Sequence, residues 1–80
     1  MSNHLDLNKT EIKNNVISKL QLLGFEVNEN TPIWEIRLII QVIQINGGLM
    51  ADGFIGKETM PLLGYRSKDI KKMLKRGVNL

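Results

Sequence analysis

Apolar residues recur along this chain at helical rather than strand spacing. Ile12, Val16, Ile17, Leu20 and Leu23 fall three or four residues apart and form one stripe. Asn8-Lys9-Thr10-Glu11 before them fits a capping box, with Leu7 and Ile12 at the staple positions, so a first helix is expected to begin near Asn8. Gly24 is its natural stop. A second stripe runs Ile33, Ile36, Ile39, Ile40, Ile43, and Leu38, Val42 and Ile45 widen it. This second helix is expected to start at Asn30 or Thr31, with Pro32 in its first turn, and to lie at the centre of the fold. The β-branched run Ile36 to Ile45 also allows a strand, but strict alternation is absent and the proline start favours helix. After a glycine-punctuated segment, a short third helix is expected over residues 57–63, ended by Gly64. A fourth, capped by Ser67, runs from Lys68 to Arg76 with Ile70, Met73 and Leu74 on one face.

The most distinctive segment lies between the second and third helices. Residues 44–59 read Gln-Ile-Asn-Gly-Gly-Leu-Met-Ala-Asp-Gly-Phe-Ile-Gly-Lys-Glu-Thr, too glycine-rich for a helix and too apolar for a linker. A tight turn is expected at 52–56, delivering Phe54 or Ile55 inward. The spacing resembles the repeat of the peptidoglycan-binding domain family, Gln-x-x-x-Gly-Leu-x-x-Asp-Gly-x-x-Gly-x-x-Thr-x-x-x-Leu. Gln44, Gly48, Leu49, Asp52, Gly53, Gly56, Thr59 and Leu63 hold those places in register, over about a quarter of the chain. Ile43, Lys57 and Met60 replace the family's usual Phe, Pro and aromatic residues. Leu23-Gly24-Phe25 looks like the end of the family's first helix, but Glu26 to Asn30 stands where a first glycine loop usually follows. The resemblance implies an all-α fold: a small three-helix bundle of peptidoglycan-binding-domain type, here with an added short basic C-terminal helix. It also implies a non-catalytic module that holds a hydrolase on peptidoglycan or an anionic cell-wall polymer.

Eighty residues make one domain, read as a flexible stretch 1–7, a helical core 8–64 and a basic helix and tail 65–80. There is no cysteine, so neither a disulfide nor a Cys-based zinc site is possible. His4 is the only histidine and is expected in a frayed terminus, which leaves no nucleophile–base pair and no metal set. The glycines lack both the phosphate-loop lysine–hydroxyl pair and a dinucleotide fingerprint. The expectation is therefore no enzyme and no cofactor. The polar start carries no signal-peptide core, and no apolar run is long enough to span a membrane. That favours the cytoplasm, with action at the cell wall after release as the alternative.

The candidate chemistry falls into two groups. Gln44, Asp52, Lys57 and Tyr65 are candidate ligand contacts around the glycine loop, with Tyr65 and Lys57 lining one groove. For Gln44 and Asp52 the competing role is to bond loop backbone groups. Trp34, Arg66, Lys68, Lys71, Lys72 and Lys75 are candidates for a protein or polyanion contact. Trp34 is expected to pack on the first helix, the alternative being an exposed anchor. Residues 66–80 hold six basic side chains against one acid, whereas 1–65 hold five against seven. A basic tail on a mildly acidic body suits an anionic wall polymer or an acidic protein. Two further function classes stand beside wall binding. One is a small intracellular interaction protein, phage-encoded in one reading. The other is nucleic-acid binding, disfavoured because Lys57 is the only base in the third helix.

Overall fold

The computed structural model describes residues 4–77, with side chains described through Leu74. Three α-helices are present: α1 (Thr10–Leu22), α2 (Ile33–Asn46) and α3 (Ser67–Gly77). A single 3-10 turn, Met60–Leu63, lies between α2 and α3, and no strand occurs among the described residues. The protein is a small all-helical bundle.

Ile12, Val16, Ile17 and Leu20 of α1 meet Ile36 and Ile40 of α2 in one core, closed by Ile55, Met60, Leu63 and Tyr65. Ile70, Met73 and Leu74 of α3 pack against it from outside, half-buried. α1, α2 and the 3-10 turn end alike. The residue after each C-cap position is a glycine with positive φ, or the cap itself is: Gly24 (98°), Gly48 (75°) and Gly64 (93°). In each case the next amide reaches back into the last turn, as Phe25 N–H does to Leu20 O at 3.0 Å and Leu49 N–H to Gln44 O at 2.8 Å.

Five expectations are corrected. The capping box at Asn8 is absent: α1 starts at Thr10, and the Lys9 N-cap makes no side-chain cap bond. The Asn8 amide is instead taken by Asp6 Oδ1 at 2.9 Å, in a turn closed by Lys9 N–H to Asp6 O. The stretch expected to be loose is core from Leu5 onward. Leu5 and Leu7 are fully buried, and Leu5 N–H donates to Ile55 O at 2.9 Å. Residues 1–3 lie outside the described ones. The third helix shrinks to the 3-10 turn, because only seven residues separate Gly56 from Gly64 and Thr59 is pinned in the core. Trp34 does not pack on α1 but stands exposed at the start of α2. Leu38, Val42 and Ile45 lie on that same outer face rather than widening the buried stripe. A helix in so thin a bundle meets the core on one side only. No helix among the described residues is long and apolar enough to cross a membrane.

Candidate functional site around the glycine loop

Residues 47–59 form no helix or strand, so their backbone groups need partners from elsewhere. One side chain supplies two of them and ties in two loop side chains as well. Gln44, at the end of α2, is fully buried. Its Oε1 accepts the Gly53 N–H at 2.9 Å. Its Nε2 lies 3.0 Å from Asp52 Oδ1, 2.9 Å from Phe54 O and 3.0 Å from Thr59 Oγ1. Two amide hydrogens thus serve three acceptors, so the donor side of the amide is fully used, while Oε1 accepts one bond. Of the two roles open to Gln44, the geometry supports the organiser. Gln44 also lies in the wall of the cleft beside the loop.

Asp52 reinforces the same turn, its Oδ1 also accepting the Phe54 N–H at 2.9 Å. The carboxylate is otherwise on the surface, so organising the loop leaves it available to solvent. Gly53 needs to be glycine twice over. Its φ is 77°, and a Cβ there would lie 3.3 Å from the Arg37 carbonyl oxygen. Arg37 clamps the other side: its Nη1 donates to Gly53 O at 3.1 Å, and its guanidinium sits 4.5 Å from the Phe54 ring centre. Arg37, Gln41 and Gln44 therefore form a stripe on α2 that faces the loop.

The turn delivers Ile55 to the core and leaves Phe54 at the surface. His4 tilts against Phe54 with ring centres 4.8 Å apart. Together they edge an open cleft of about 400 Å³. Leu49, Met50 and Leu74 give it apolar walls, and Asp52, Lys57 and Glu58 line its polar side.

Tyr65 is not part of this cleft, which corrects the expected pairing with Lys57. It is buried on the opposite side of the 3-10 turn, its hydroxyl donating to Asn15 Oδ1 at 2.6 Å. Lys19 Nζ lies 4.9 Å from its ring centre. Burial, and secondarily the charge of Asp69, raises the Tyr65 pKa well above its ordinary value. The second cleft, lined by Tyr65, Asn15, Lys19, Asp69 and Lys72 among others, lies between α1 and α3.

Arg66, Lys68, Lys71 and Lys72 are exposed on α3 or at its start, as expected; the side chain of Lys75 lies outside the described ones. Three participants carried no usable signal in the sequence: Arg37, His4 and Asn15. Each acts on a residue at least 16 positions away, as Arg37 does on Gly53. Among the described residues no group of acidic, histidine or cysteine side chains is placed to hold a metal ion. Comparison of the chain with protein-family models, curated proteins and solved structures gave no match.

Proposed function

We propose that the protein is a non-catalytic module that binds peptidoglycan at the cell wall, using the cleft beside the glycine loop. One observation carries this reading. Four of the eight residues that resemble the wall-binding repeat, Gln44, Asp52, Gly53 and Thr59, meet in a single network, and a cleft of mixed character lies beside it. Phe54 and Met50 offer surfaces for sugar rings and alanine methyls. Lys57 meets the carboxylates of a stem peptide, and Asp52 and Glu58 meet its amines. The exposed lysines of α3 add attraction for anionic wall polymers.

Co-sedimentation with washed sacculi, stripped of teichoic acid or not, at two salt concentrations tests this. Pelleting with stripped sacculi should persist at the higher salt and weaken about tenfold in Phe54→Ala or Lys57→Ala, each of which touches an exposed side chain. A folded protein that stays in the supernatant at low salt would overturn the proposal. The apolar outer face of α2 favours a second reading, in which the scaffold works by binding protein.

A further inference from the structure

The face of α2 that points away from the core carries Trp34, Leu38, Val42 and Ile45, which are 64%, 53%, 49% and 64% exposed. Gln41 borders them on the side of the glycine loop, and none of the four is charged. A surface helix ordinarily turns its charged side outward, and one apolar all round is normally covered on both sides. A contiguous apolar stripe on so small a monomer marks a contact surface.

We propose that this stripe is covered by a second copy of the chain, with the two α2 helices packed antiparallel about a two-fold axis. Three features of the stripe select that occupant. Its spacing reads nearly the same in both directions: Trp34 and Ile45 are centred between Ile39 and Ile40, and Leu38 and Val42 on Ile40, half a residue away. An antiparallel pair therefore sets Trp34 against Ile45 and Leu38 against Val42, and a two-fold contact requires this self-matching. The stripe is uncharged, so identical surfaces meet there without repulsion even though each chain carries +3. At the observed exposures, the four side chains offer on the order of 450 Å² of apolar surface per copy, or about 900 Å² for the pair. That is below the roughly 1,200 Å² of a standard interface and matches a weak, reversible dimer. Antiparallel packing also opposes the two helix dipoles.

The test is sedimentation equilibrium of the 80-residue chain between about 1 and 500 μM, the range in which so small an interface associates. The mass should rise from 9.1 kDa toward twice that value. Trp34, the only tryptophan, should shift its emission to the blue over the same range. Leu38→Glu and Val42→Lys each bury an unpaired charge in the contact and should weaken dimerisation at least ~100-fold. Both positions are half exposed in the single chain, so the circular dichroism of each variant should be unchanged. Mixing the two variants should restore a dimer, because the antiparallel register sets the carboxylate introduced in one chain against the ammonium introduced in the other. A chain that stays monomeric throughout, a dimer indifferent to both substitutions, or assembly beyond the dimer would overturn the proposal. Failure of the mixed sample to recover would overturn the register.

Discussion

Gln44 ties the Gly53 N–H and the Phe54 carbonyl of the glycine loop to the end of α2. Gln44→Leu keeps the bulk but strands the buried Gly53 N–H and the Thr59 hydroxyl. We expect a loss of about 2–4 kcal/mol in urea unfolding, the penalty for buried polar groups left without partners. Tyr65 gives a second prediction at this scale. Its folded pKa is raised, so its neutral form is the one the fold favours. Its contribution to stability is complete below the unfolded value of about 10 and is lost as the pH climbs above it. Tyr65→Phe should abolish that alkaline loss while costing about 1 kcal/mol at neutral pH for the bond to Asn15. The chain holds a single tyrosine, so tyrosinate absorbance reads this group alone. The organising role of Gln44 was legible because a polar residue at the end of an apolar helix needs partners, and the loop follows directly. The partners of Arg37 and Tyr65 were not legible. Pairs set 16 and 50 residues apart leave no local periodicity to read.

Each helix is legible as an element from its stripe, and each end from its glycine. The departures lie where tertiary contacts outvote the local pattern. Leu5 and Leu7 alternate with polar residues over too few positions to register as an element, yet both are wholly buried. Leu5→Ala should therefore cost about 2–5 kcal/mol in chemical denaturation, as for any fully buried leucine. A disposable tail would show no change. The 57–63 segment has a helix stop at each side but too little room between them. Pro61 also removes an amide donor there, so a tighter turn forms. α2 shows the opposite departure. Its sequence is apolar nearly all round, and periodicity alone cannot say which of two apolar faces meets the core.

For the molecule as a whole, charge and apolar surface are segregated. The lysines gather on α3, the exposed apolar side chains on the outer face of α2, and the mixed cleft at the glycine loop. Each surface can be altered separately. Reversing Lys68, Lys71 and Lys72 to Glu should remove the salt-sensitive part of binding to sacculi that retain teichoic acid. Pelleting with stripped sacculi should remain. Equal loss on both preparations would show that the cleft and α3 act as one surface. The fold also has a consequence in time. Leu5 waits for Ile55, and Asn15 for Tyr65, so two early residues find their partners only 50 residues later. During synthesis, no partial product lacking Ile55 can close the first latch, and none lacking Tyr65 can close the second. Until then α1 and α2 meet over a core that lacks Ile55, Met60, Leu63 and Tyr65 to close it. A pause between α2 and residue 65 prolongs that exposure, so the pace of synthesis through this stretch bears on aggregation.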